Sequence, residues 1–279
     1  MNVKFTQGQP LTDLPMLSEL GVRWVRDTVD WATIEPKPEQ FKPFPPDFVR
    51  RLVFYKSQGI GVVFFLAYEN NVAYPATGAD PFRPINPAAF GRYAVEVAKQ
   101  LSASGVRFVL EIWNEPHNFV IRPMLSGGWN GKPPAPWLEH YVKMTREVVH
   151  RVKAFDPAIE LLTDDDMWII HYWYLEQGLP PELDGFAFHP YTLASPERAA
   201  VDHDTDWVRP FTVVDADGSF HSAVRRLRAH GRNKLGKTPQ MWVTEWGWPI
   251  GQLSPSGLVT EDLLANWLPR AYVVAAAAG

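Results

Sequence analysis

Apolar positions along the chain fall into two kinds of segment that alternate. Seven short runs have few polar interruptions: VKF (3–5), VRWVRD (22–27), GIGVVFFLAY (59–68), VRFVLEIW (106–113), IELLTD (159–164), GFAFHP (185–190) and MWVTEW (241–246). A strand that is apolar on both faces is buried on both faces, which points to a parallel sheet with helices outside it. Between the runs lie longer segments with apolar residues at helical spacing: DLPMLSELG, PDFVRRLVFYKSQG, NPAAFGRYAVEVAKQLSASG, WLEHYVKMTREVVHRVKAFD, MWIIHYWYLEQG and FHSAVRRLRAHG. Several open with Asp or Asn beside a proline and close on Gly, as helix start and stop chemistry requires. Repeated strand–helix units of this kind predict either a (β/α) barrel or a doubly wound sheet.

The polar residues at the strand ends separate the two. A doubly wound nucleotide binder needs a Gly-rich turn after its first strand, and TQGQPLTDLP contains none. Instead, polar or ionisable residues follow nearly every run: Arg26 and Asp27, Glu69 and Asn70, Asn114 and Glu115, Asp164 to Asp166, His189 and Tyr191, then Glu245. Convergence of such residues from many strand ends onto one face is a property of barrels. The expected fold is α/β, a (β/α)8 TIM barrel forming a single catalytic domain over residues 1–279. Only seven strands can be counted, and the chain stops within a seventh helix, TEDLLANWLPRAYVVAAAAG. The barrel is therefore expected to lack its eighth strand and helix, as a C-terminally truncated chain would, unless FTVVDA (211–216) supplies a further strand. The segments 117–136 and 192–220 are long for a compact domain and read as functional rims or lids. TDDDMW reads as the cap of the fifth helix, with Asp164 to Asp166 in its first turn.

Composition narrows the partners. The 279 residues are 46% hydrophobic and 21% charged, as in an ordinary globular protein, and can bury a sizeable core. A net charge of -4 provides no basic footprint for nucleic acid or for an anionic membrane surface. The absence of cysteine excludes a disulfide framework, a thiolate metal site and a cysteine nucleophile. No run reaches the roughly 18 apolar residues of a membrane span, and MNVKFTQGQP is not a signal peptide. A secreted or periplasmic location would require that a signal had been removed. The 12 tryptophans are unusual. They either fill the core or stack on the flat C–H faces of sugar rings, where an indole N–H can also bond a hydroxyl.

The chemistry lies in EIWNEP (111–116) and TEWGW (244–248). Cleaving a glycosidic bond takes one carboxylic acid to protonate the leaving oxygen and one carboxylate to attack or stabilise the sugar carbon. Glu115 and Glu245, at the ends of the fourth and seventh runs, would face one cavity in a barrel. Separations of about 5 to 5.5 Å give retention of configuration and about 6.5 to 9.5 Å inversion. The two motifs together resemble the paired signatures of glycoside hydrolase clan A. LGVRWVRDTVDWATIEPKPEQF further resembles the second-strand segment of the family 39 branch, which holds β-xylosidases and bacterial exopolysaccharide endoglycosidases. The resemblance runs from about Thr6 to Trp248.

It implies a retaining, two-glutamate double-displacement glycosidase acting on a polysaccharide or oligosaccharide, without cofactor or metal. Glu115 would be the acid/base and Glu245 the nucleophile. Asn114 would hydrogen-bond the sugar 2-hydroxyl, and Tyr191 would hold the carboxylate of Glu245. Arg26 would lie behind Glu245 and keep it ionised, and His189 would line the pocket. The family's Trp platform after strand eight has no counterpart, which leaves stacking to Trp113, Trp246 or Trp248. Lys4 stands near where relatives often carry His. Trp24, Trp168, Trp173 and Trp267 read as packing residues. Two other functions remain open: a non-catalytic carbohydrate-binding barrel, and a metal-dependent sugar isomerase-type barrel using Glu69, Asp164, Asp166, His189 and Glu245.

Overall fold

A computed structural model describes residues 1–127, 132–165, 168–199, 208–255 and 257–278. The chain divides into two compact units, Met1–Asp164 with Glu182–Asp184, and Asp165–Pro181 with Gly185–Gly279.

The first unit is built on parallel strands in sequence order: β1 (Trp24–Asp27), β2 (Gly61–Leu66), β3 (Phe108–Ile112) and β4 (Leu161–Asp165), whose last residue falls in the second unit. Arg26 pairs with Val63, Phe64 with Leu110, and Leu110 with Leu161. Helices α1 (Leu14–Glu19) and α2 (Trp31–Ile34) flank β1. Helix α3 (Pro46–Ser57) leads to β2, α4 (Pro87–Ser104) to β3, and α5 (Ile121–Ser126) with α6 (Pro136–Phe155) to β4. The punctuation of α4 matches its sequence: the Asn86 side chain accepts the Ala89 N–H, Pro87 occupies the first turn, and Gly105 ends the helix at φ 69°. Gly61 opens β2 because the Trp24 indole lies on it. A Cβ there would come within 2.5 Å of the ring. The core between strands and helices is aromatic: Trp31 stacks on Tyr93 at 5.4 Å and meets Phe90 edge-on, while Phe44 and Phe48 close on Phe64.

The expected first strand, VKF, is reduced to a single bridge. Asn2 pairs in parallel with Arg26, and the Val3 N–H reaches the Arg26 carbonyl. The run is too short to extend further, because Phe5–Gln7 turns at once into a 3-10 helix ended by Gly8 at φ 97°.

The second unit contains α7 (Trp168–Glu176), β5 (Gly185–Phe188), α8 (Phe220–Leu235), β6 (Gln240–Val243), the short pair β7 (Leu253–Ser254) and β8 (Gly257–Leu258), and α9 (Glu261–Ala278). Strands β5 and β6 are parallel, with Gly185 opposite Gln240. They approach so closely that a Cβ on Gly185 would lie 2.3 Å from the Gln240 carbonyl oxygen. Ser219 caps α8 by accepting the Ser222 N–H, and Gly236 ends it at φ 72°. Trp168, Phe188 and Phe220 pack together beneath.

Three expectations change here. Helix α7 is not amphipathic, since every residue from Trp168 to Leu175 is buried, and a helix enclosed on all sides needs no polar stripe. FTVVDA forms no strand. An antiparallel β7–β8 pair, which no alternating pattern announces, occurs instead.

Candidate active site

In the first unit the polar residues gather at the end of β3. Strand order brings Arg26 of β1, Tyr68 after β2, Glu111 and Asn114 of the β3 segment and Asp164 of β4 to neighbouring positions. Arg26 donates to Glu111 Oε1 through Nε at 2.9 Å and again through Nη2, and Nη2 also donates to Asn114 Oδ1 at 2.7 Å. Asn114 Nδ2 donates to the Tyr68 hydroxyl at 2.9 Å. The Phe65 ring lies 4.2 Å below the guanidinium. Glu115 donates its backbone N–H to Asp164 Oδ2 at 2.8 Å and accepts from Asn118 Nδ2 through Oε2 at 3.0 Å. Arg26, Glu111, Asn114, Glu115 and Asp164 are all buried.

The backbone of this segment is unusual. Trp113 has φ 74° and Glu115 φ 45°, so Asn114 sits between two non-glycine residues in the left-handed region. Such conformations cost of order 1–3 kcal/mol each and persist where the surroundings dictate them, which is most often at functional sites.

In the second unit, Tyr191 donates its hydroxyl to Glu245 Oε2 at 2.7 Å. Tyr191 is 43% exposed and Glu245 half-buried. His189 is fully buried, with Nε2 at 3.1 Å from the Thr244 hydroxyl and its backbone N–H on the Asp165 carbonyl. Trp246 stacks on Phe220 at 4.9 Å and is followed by Trp248, which packs on Trp267. The indole N–H of Trp246 is buried and has no hydrogen-bond acceptor. His171 is also fully buried in this unit. Desolvation lowers its imidazole to a pKa of about 4, against the opposing pull of Asp165.

Two stacking expectations are corrected. Trp113 is fully buried, edge-on to Tyr68 and tilted against Phe90, with its indole N–H on the Phe119 carbonyl. Trp248 is 4% exposed, bonds the Ala194 carbonyl and sits in the cluster of Val259, Trp267 and Ala271. Neither presents a ring face. Of the three candidates Trp246 alone is half-buried. Asp164 and Asp165 do not cap a helix, because they end β4 and are fully buried, Asp165 accepting from Tyr174 at 2.5 Å. Asp166 lies outside the described residues, as do parts of both long loops. Trp168, Trp173 and Trp267 are core residues, as expected, and Trp24 packs on Gly61 and under Arg107.

Glu111 and Tyr68 are absent from the expected site. Glu111 carried a signal, being a carboxylate inside an otherwise apolar strand, and a buried charge demands a partner. Tyr68 carried none, as it reads as the aromatic end of an apolar run.

Parallel strands each followed by a helix, with ionisable residues at the strands' C-terminal ends, are the units of a (β/α)8 barrel. Solved structures agree. A family 39 glycoside hydrolase from the gut symbiont Bacteroides cellulosilyticus WH2 superposes with a TM-score of 0.69 at 19% identity, over 94% of this chain and 50% of that one. The family 1 β-glucosidase from Thermotoga maritima matches with a TM-score of 0.60 at 11% identity, over 99% of this chain and 73% of that one. A β-glucosidase from Exiguobacterium marinum gives 0.60 at 13% identity, over 95% and 73%. The chain thus spans half the length of the family 39 structure. No protein-family model matches the sequence, and no curated protein matches it. At these identities the likeness is one of fold. No helix among the described residues is long and apolar enough to cross a membrane.

Proposed function

We propose that the chain carries the catalytic barrel of a retaining glycoside hydrolase acting on a polysaccharide or oligosaccharide, with Glu115 as acid/base and Glu245 as nucleophile. The observation that carries this reading is the strained turn after β3, in which Trp113 and Glu115 adopt left-handed backbone to set Asn114 and Glu115 at the strand's mouth. The hydroxyl of Tyr191 on the Glu245 carboxylate supports the nucleophile's role, since it orients one of its oxygens. In the first step Glu245 attacks the anomeric carbon while Glu115 gives its proton to the leaving oxygen. In the second, Glu115 takes a proton from water as the water oxygen attacks the anomeric carbon, breaking its bond to Glu245 and releasing the sugar. Asn114 bonds the 2-hydroxyl as charge develops on the adjacent carbon, and Trp246 is the candidate for stacking on the sugar. In this reading Arg26 keeps the nucleophile ionised and His189 lines the pocket. Both carboxyls must address one sugar ring.

Replacing Glu245 by Gln should abolish turnover of aryl glycosides while sugar binding persists. Glu115→Ala should spare the first step on substrates with very good leaving groups, which need no proton, and azide should restore the second. An equal loss on good and poor leaving groups would remove Glu115 from the acid role. Sugar binding without turnover in the wild-type protein would leave a carbohydrate-binding barrel, and undiminished turnover in both variants would remove both glutamates from the chemistry.

A further inference from the structure

Asn side chains can be turned either way, with the oxygen or the nitrogen toward a given neighbour, and the two orientations read a ligand oppositely. At Asn114 the choice is forced. Arg26 has donors and no acceptor, so the face of the amide that meets it must be the oxygen, as the 2.7 Å contact to Oδ1 has it. The NH2 group therefore points away, one hydrogen on the Tyr68 hydroxyl and the other available to a ligand. Glu111 makes the closest contacts to Arg26, its Oε1 taking both Nε and Nη2 of the guanidinium, while Asp164 Oδ2 stands 4.0 Å from Nη2 and Phe65 supports the plane. Glu111 is fully buried, and its Oε2 has no hydrogen-bond partner. A carboxylate placed there only for stability would be expected to have both oxygens satisfied.

We infer that Glu111 is a positioning residue for the sugar 2-position: by fixing Arg26 it locks Asn114 with its NH2 outward, so that the site requires a hydrogen-bond acceptor at that carbon. The inference rests on the placement of Asn114 in the proposed function. Without the lock, Arg26 can leave Asn114 Oδ1 and the amide can invert. A hydroxyl would still be tolerated in the inverted site, but it would have to turn its own hydrogen to the amide oxygen, away from any acceptor the native site offers that hydrogen as positive charge builds beside it. A sugar carrying a 2-ammonium group, which has donors only, should be refused by the native site.

The test uses 4-nitrophenyl β-glycosides, including the xyloside and the glucoside, and the 2-deoxy counterpart of whichever the wild-type protein turns over. Glu111→Leu should lower kcat/KM on the 2-hydroxy substrate by roughly a hundredfold, the scale of one lost transition-state hydrogen bond, and leave the 2-deoxy substrate nearly unchanged. Glu111→Gln retains a carbonyl for Arg26 and should show a smaller loss with the same selectivity. Should Glu111→Leu fail to fold, Glu111→Gln is combined with Asn114→Ala, and the Glu111 effect should vanish in that background. Equal losses on both substrates, or additivity in the double variant, overturn the inference while the glycosidase reading stands. A wild-type protein inactive on every glycoside overturns both.

Discussion

Arg26 and Asp27 are neighbours on β1 and point to opposite faces of the strand, each into a buried ion pair. Asp27 is saturated. Its Oδ2 accepts from Arg51 Nε at 2.8 Å and from the Tyr55 hydroxyl at 3.0 Å, and its Oδ1 accepts the Thr28 N–H at 2.9 Å. Even so, burial pushes its carboxyl above the ordinary Asp range, against the pull of Arg51. On the other face Arg26 uses one oxygen of Glu111 and also donates to Asn114, with Asp164 Oδ2 4.0 Å from its Nη2. The first pair ties β1 to α3 and does nothing further. The second is left incomplete on one oxygen and controls the direction of an amide at the strand's mouth. Saturation thus separates a fastener from a positioning device more reliably than burial or charge, since both pairs are equally dry.

That contrast can be broken experimentally. The largest effect should come from Asp27→Ala, which strands the Arg51 guanidinium in the core. Urea or thermal unfolding should show a loss of about 3–5 kcal/mol, with kcat of the surviving folded protein unchanged. A fall in kcat of the same size would merge the two pairs into one functional unit. Next is the acid response. His171 is uncharged in the fold with a pKa of about 4 against an ordinary 6.5, so between those values the unfolded chain binds the extra proton. Stability should be level above about pH 6.5 and fall as pH drops toward 4, by on the order of 3 kcal/mol in all. His171→Phe should flatten that slope, and an unchanged slope would assign it elsewhere. The smallest expected effect is at Tyr191, a partly exposed residue with one hydrogen bond to a carboxylate. Tyr191→Phe should cost about 1.5–3 kcal/mol in kcat/KM and leave the melting temperature in place.

The frame was legible because each level of the sequence agreed with the next. Asn86-Pro87 and Gly105 bound α4 where the apolar spacing does, and β2 and β3 are the unbroken runs they appear to be. Failures arose where tertiary surroundings replaced local preference. Asp164 and Asp165 look like cap residues until β4 carries them into the core and supplies the Glu115 N–H and the Tyr174 hydroxyl as partners. The VKF run could not extend because the turn at Phe5 follows it immediately. Buried Trp113 and Trp248 could not be told from half-buried Trp246, because an indole's depth in the fold leaves no mark on the local pattern. At the site, Asn114 and Glu115 were readable from their place after an apolar run. The Glu111–Arg26 contact was not, because it joins residues far apart in the chain and depends on how β1 and β3 align through β2.

The left-handed backbone at Glu115 sets heat tolerance against chemistry. Asn or Gly would occupy that conformation with less strain, and neither could shuttle a proton. A library of this gene screened only for survival of heating should therefore enrich both replacements at codon 115, and with Glu115 in its proposed role the sturdiest members would be inert toward glycosides.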